Sequence, residues 1–134
     1  MQYGALQQAE AMKQRTKQFA LRVLKMVQSL PKSEEGRILG RQLLRAGTSV
    51  GANYRAVCRS RSRREFVSKM SVVVEETDET VFWFELLLEG GLVNPSRTKS
   101  ILTEGNELLA IFAASLRTAR KAQVRRVSID SMIR

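Results

Sequence analysis

The side chains of this 134-residue chain with the clearest capacity for chemistry are cations in two short runs. Arg55, Arg59, Arg61, Arg63, Arg64 and Lys69 stand against one acid, Glu65, and Arg117, Arg120, Lys121, Arg125 and Arg126 follow one another with no acid between them. Cations at this density bind phosphate oxygens and release the counterions condensed there, so binding should fall steeply with salt. Few aromatic residues are interleaved with them, which predicts contacts to the nucleic-acid backbone, RNA or DNA, with low sequence specificity. The whole chain holds 23 Lys and Arg against 13 Asp and Glu, net +10, which puts polyanions ahead of acidic proteins and membrane surfaces as partners.

Other chemistries lack their residues. The chain has no histidine, the commonest general base and nitrogen ligand for zinc, so the pair Glu75 and Glu79 reads as ion-pairing carboxylates and not as a metal or acid–base site. The segment Gly47-Thr48-Ser49-Val50-Gly51 lacks the Gly-Lys-Ser/Thr ending and the preceding strand of a phosphate loop. Cys58, the one cysteine, lies beside Arg55 and Arg59 but has no histidine to activate it, and its expected role is structural. No catalytic residue, metal or cofactor is expected, and the chain reads as non-enzymatic. The longest apolar run, Val81 to Leu88, is interrupted by Glu85 and falls well short of the ~20 residues of a membrane span. A single thiol without a basic-then-apolar leader predicts a cytoplasmic protein.

Four helices are predicted to position the cations. The first runs from about Gln8 to Leu30, with Phe19, Val23, Met26, Val27 and Leu30 on one face, and stops before Pro31. Ser33 with Glu34 and Glu35 starts the second, which reaches about Cys58 with Ile38, Leu39, Leu43, Ala46, Val50, Tyr54 and Val57 inward. Gly36, Gly40, Gly47 and Gly51 lie along it, and each interior glycine costs about 1 kcal/mol relative to alanine. Close approach by a neighbouring helix is the favoured reason, a kink near Gly47 the alternative. Ser62-Arg63-Arg64-Glu65 has the form of a capping box and opens a third helix, through Phe66, Met70, Val73, Thr77, Val81, Phe84 and Leu88, that ends at Gly90-Gly91. Asn94-Pro95 opens a fourth, which carries Ile101, Leu102, Leu108, Leu109, Ile111, Phe112 and Leu116. The pattern fades beyond about Gln123. The expected organisation is therefore a bundle over residues 1–123 and a basic tail over 124–134.

Four helices joined by short turns make an all-α, up-down-up-down bundle. In that topology residues 55–70, residues 117–126 and residues 8–18 share one end, the last adding Lys13, Arg15 and Lys17 less Glu10. That end carries +12 and leaves −2 for the rest of the molecule. The third helix shows the change within itself, with Glu75, Glu76, Asp78, Glu79, Glu85 and Glu89 and no base between Val72 and Val93. Antiparallel pairing about Ser60 brings Arg45 toward Glu75 and Arg41 toward Glu79, so the stripe Arg37, Arg41, Arg45 should be neutralised. From Val81 to Leu88 apolar side chains cover nearly the whole helix circumference, so Phe82, Trp83, Leu86 and Leu87 are expected to face another subunit.

Several motifs carry a family resemblance. Gln42 to Arg55, with its run Arg45-Ala46-Gly47-Thr48-Ser49-Val50-Gly51-Ala52-Asn53-Tyr54-Arg55, then Arg61-Ser62, Glu65 to Met70, and Glu76 to Leu87 resemble the bacterial four-helix-bundle proteins encoded in intervening sequences of large-subunit (23S) ribosomal RNA genes. The resemblance implies a cytoplasmic, non-enzymatic bundle that assembles as a ring-like homopentamer. It also implies an architectural relation to the accessory variability proteins of diversity-generating retroelements, which are basic pentamers that engage a reverse transcriptase and nucleic acid. An acidic residue commonly follows the Asn-Tyr-Arg motif in the family. Ala56 stands there in this chain and makes the turn more positive.

The leading expectation is a homopentameric nucleic-acid-binding bundle whose Arg55, Arg59, Arg61, Arg63, Arg64 and Lys69 contact phosphates, supported by Arg117, Arg120, Lys121, Arg125 and Arg126. The second is an adaptor subunit that meets a reverse transcriptase and its template RNA.

Overall fold

The computed structural model describes residues 2–133 and places them in four helices: α1 Gln2–Gln28, α2 Glu34–Cys58, α3 Arg63–Glu89 and α4 Pro95–Ile133. The caps explain the boundaries. Ser33 Oγ accepts from the Gly36 N–H at 3.1 Å and Ser62 Oγ from the Glu65 N–H at 3.0 Å, each satisfying a donor that the first turn leaves free. Glu65 reaches back to the Arg61 N–H at 3.4 Å, one residue earlier than a strict capping box. At the end of α3 the Gly91 N–H bonds the Leu88 carbonyl at 3.1 Å and the Leu92 N–H the Leu87 carbonyl at 3.0 Å. This Schellman arrangement needs the φ of +74° that Gly91 adopts without a Cβ penalty.

Helices adjacent in sequence are adjacent in space, and every neighbouring pair is antiparallel. Arg45 of α2 meets Glu76 of α3, whereas Ala56, eleven residues on, meets Lys69, seven residues back. Arg15 of α1 meets Glu104 and Glu107 of α4, whereas Arg22 meets Ser100. The fold is an all-α four-helix bundle with up-down-up-down connectivity. Its core holds Phe19, Val23, Leu43, Val50, Val73, Phe84, Leu87, Leu108 and Phe112. Phe19 and Phe84 meet edge to face at 6.5 Å, and Tyr54 and Phe112 at 5.5 Å tie α2 to α4 across the middle.

The glycines of α2 mark the path of α1. A Cβ on Gly47 would lie 2.8 Å from both methyls of Val23, and one on Gly36 would lie 2.0 Å from the Pro31 carbonyl oxygen. Gly51 backs onto Thr16, a buried threonine whose hydroxyl returns to the Met12 and Lys13 carbonyls at 3.0 Å. Close packing is therefore the reason for these glycines, and α2 is one uninterrupted helix.

Four features depart from the sequence-based expectation. α1 starts at Gln2, six residues before the first expected turn. Ile38 is 51% exposed, because α2 turns its Leu39 and Leu43 edge to the core instead. Arg45 pairs with Glu76 at 3.3 Å and with Glu79, not with Glu75, and Arg41 has no acidic partner among the described residues. Beyond Gln123 the chain continues as helix to Ile133, fully on the surface, and Arg134 lies outside the described residues. At 39 residues and 1.5 Å per residue α4 is about 58 Å long, well beyond the 25–27 residues of its partners. No described helix is long and apolar enough to cross a membrane.

Candidate nucleic-acid interface

The α2–α3 turn is four residues, Arg59 to Ser62, and its brevity concentrates charge. The Arg59 N–H closes on the Ala56 and Val57 carbonyls and the Ser60 N–H on Val57, so α2 ends in a tight turn that leaves Arg59, Arg61, Arg63 and Arg64 exposed. Together with Arg55 these arginines have no acidic partner within 4 Å among the described residues.

Two expected members of the basic end are engaged elsewhere. Lys69 donates to Glu65 at 2.6 Å and to the Ala56 carbonyl at 3.5 Å, so it staples α3 to α2. The hydrogen bond from Lys69, then the Arg61 N–H, holds the Glu65 carboxyl below its ordinary range. Arg15 turns sideways to α4, where it meets Glu104 and Glu107. Both ion pairs subtract from the positive charge that a count by sequence segment assigns to this end.

The remaining cations border two hollows on either side of the C-terminal turn of α2. One is a groove of about 400 Å³ between α1 and α2, lined by Lys13, Lys17, Arg55 and Arg59 over a floor of Ala20, Gly51 and Ala52. Lys13 is held by Glu10 at 3.5 Å, and the other three cations have no acidic partner among the described residues. The small floor residues give an extended phosphate chain direct access to the bases. The other is a cleft of about 560 Å³, where Arg61, Ser62 and Arg63 form one edge, Tyr54 and Phe66 the aromatic surface, and Ala9 and Ala119 the sides.

The bases of α4 divide by helical geometry. Arg117, Lys121 and Arg125 recur every four residues opposite the buried stripe of Phe112, Leu116 and Ala119, so they face away from the turn. Arg126 follows Ala119 by seven residues and therefore returns to the side that carries the cleft. Arg117, Arg120, Lys121, Arg125 and Arg126 are all exposed.

The aromatic members of this end are not visible as a pattern in the chain, because Tyr54 and Phe66 are twelve residues apart on different helices. The Tyr54 hydroxyl sits beside the Cys58 thiol one turn on, and burial, then that thiol, pushes its ionisation well above the ordinary tyrosine value. It stays a neutral hydrogen-bonding group at physiological pH. The Ser60 hydroxyl is shielded from solvent and has no hydrogen-bond partner among the described residues.

At the opposite end, Phe82 is 53% and Leu86 39% exposed, while Trp83 is half-buried. Trp83 meets Phe82 edge to face at 5.0 Å and donates its indole N–H to Glu79 at 3.1 Å. Leu87, expected in the same surface, is fully buried because it falls on the core stripe with Thr80, Val81 and Phe84. The register set by Arg45 and Glu79 puts the exposed Ile38 level with Leu86 and adds an apolar residue to that face.

Comparison with known proteins follows the same division of the chain. The family model described as 23S rRNA-intervening sequence protein matches residues 9–114, which contain the whole α2–α3 turn and none of the five α4 bases. No curated protein matches the chain. A crystal structure of a protein of unknown function from the S23 ribosomal protein family of Bacteroides thetaiotaomicron is similar, with 27% identity and a TM-score of 0.74 over 81% of this chain and 97% of that one. The chain belongs to the 23S rRNA-intervening sequence protein family.

Proposed function

We propose that this protein is a non-enzymatic, homopentameric bundle that binds RNA or DNA in the cytoplasm through phosphate contacts at its basic end. The observation that carries the reading is the set of exposed, acid-free arginines Arg55, Arg59, Arg61, Arg63 and Arg64 around one short turn, beside the Lys17 groove. The acids that could have neutralised them are bound elsewhere: Glu76 and Glu79 by Arg45, Glu104 and Glu107 by Arg15, and Glu65 by Lys69. Such a distribution orients the molecule toward a polyanion and makes the end a binding face, not a general solubilising coat.

The exposed apolar face of Phe82, Leu86 and Ile38 supports self-association, since these side chains occupy adjacent helices away from the basic end. A ring of five would then repeat the basic end around one rim. The retroelement-adaptor reading gains no such support, because neither the family description nor the Bacteroides neighbour's names a reverse transcriptase.

The test is the combined substitution of Arg59, Arg61, Arg63 and Arg64 by glutamine. Loss of four phosphate contacts should weaken binding and lower the slope of log K against log salt by about 3. Affinity and slope equal to those of the unaltered protein would remove these residues from the interface.

A further inference from the structure

The cleft beside the α2–α3 turn differs from the phosphate groove on the other side of α2 in having aromatic and hydroxyl groups behind its cations. We infer that this cleft holds one unpaired nucleobase of a bound single strand, stacked on Phe66 with its polar edge toward Ser60 and Tyr54, while Arg61 and Arg63 hold the flanking phosphates. The inference rests on the nucleic-acid reading above and adds to it the strandedness of the ligand.

Three observations carry it. Phe66 and Tyr54 present apolar surface at the only point where the basic end reaches inward, and a base stacked on an aromatic ring gains affinity whatever its identity. The Ser60 hydroxyl is shielded from water and unpaired among the described residues, a costly state that a ligand with donors and acceptors on its rim relieves. Finally, the cleft's volume of about 560 Å³ lies in the range of small-molecule sites, roughly 300–1,000 Å³, and has room for a base together with its sugar.

A duplex cannot use this cleft without opening a base pair, so a single strand or a bulged loop is the preferred ligand. The groove lined by Lys17, Arg55 and Arg59 lies across the last turn of α2, where the same strand continues by its phosphates.

The test uses the full-length protein with a 20-nucleotide strand carrying 5-iodouracil, in ribose and deoxyribose forms, and the matching duplex. Irradiation followed by mass spectrometry should place crosslinks on Phe66 or Tyr54, from the ribose strand, the deoxyribose strand or both, and the stronger yield identifies the sugar. Affinity for the strand should exceed that for the duplex about tenfold. Phe66→Leu, which keeps an apolar side chain in place, should weaken strand binding about tenfold and leave duplex binding unchanged. Crosslinks confined to positions outside the cleft, or equal affinity for strand and duplex, would overturn the inference, and should Phe66→Leu fail to fold, the crosslink map on the unaltered protein decides. If the four-arginine variant loses binding while the crosslinks miss the cleft, the phosphate reading stands and the base site falls. If that variant binds normally, the phosphate reading falls and the crosslink map judges the cleft alone.

Discussion

The guanidinium of Arg15 on α1 closes on the carboxylate of Glu104 on α4, with Nε 2.9 Å from Oε2 and Nη2 2.6 Å from Oε1, and Nη2 is also 2.9 Å from Glu107. This two-pronged pair lies on the seam between the first and last helices, the only neighbouring pair not joined by a turn. It also takes one arginine out of the free charge of the basic end. The hydrogen bond from Arg15 lowers the Glu104 carboxyl below its usual range, and the same bond raises the arginine.

Glu104→Gln should therefore destabilise the fold by about 1 kcal/mol, since the Glu104 side chain is only 18% exposed but Arg15 is 34% exposed and partly screened. A carboxyl lowered by folding contributes fully above its unfolded value of about 4.3, and the contribution is lost as pH falls through the lower folded value. The difference in urea midpoint between Glu104→Gln and the unaltered protein should be present at pH 7 and shrink as the pH is taken below 4. A difference that persists unchanged at pH 3 would assign the effect to packing.

Gly47→Ala should destabilise the protein by about 1–2 kcal/mol despite alanine's better helix propensity, because its Cβ would press on both Val23 methyls, which hang from a stiff β-branched side chain. Gly4→Ala is the control, since nothing lies within 4 Å of a Cβ there, and its melting temperature should be unchanged or slightly higher. Thermal unfolding of the two variants separates close packing from helix propensity.

The caps and turns are the most legible part of this chain. Pro31, the Ser62–Glu65 pair, Gly90-Gly91 and Asn94-Pro95 act locally, so residue types alone locate three turns to within a residue or two. The helix faces follow from spacing, but their edges do not. Ile38 and Leu87 carry side chains of the same character, and only the angle at which α2 and α3 meet their neighbours decides that one is exposed and the other buried. The helical continuation of α4 was hidden for a different reason. With no core to cover, residues 124–133 need no apolar period, yet their composition lets the helix run on. The cleft was illegible because Ala9, Tyr54, Phe66 and Ala119 come from four different helices and meet only in the folded bundle.

Phe82→Ser together with Leu86→Ser should leave the fold intact, because both side chains are substantially exposed in the single chain. Their expected effect is on assembly. Light scattering should report a mass near five times the 15.1 kDa chain for the unaltered protein and a smaller particle for the double variant. Equal masses would move the subunit contact to another face.

Deletion of residues 124–134 should leave the melting temperature within about 2 °C, since Val124–Ile133 bury nothing against the bundle. Nucleic-acid affinity should fall modestly, and the salt slope should drop by about 1, for the loss of Arg126 on the cleft side. A large loss of stability would show that the end of α4 packs in the assembled particle.

The most direct measurement is the affinity of the unaltered protein for RNA and DNA fragments across a series from 50 to 200 mM salt, roughly the span over which six to ten phosphate contacts cost 10³–10⁵ in affinity. The basic-end account predicts a steep, linear fall in log K with log salt. Binding that is absent, or that does not change with salt, would contradict it and leave the arginines of the α2–α3 turn to another partner.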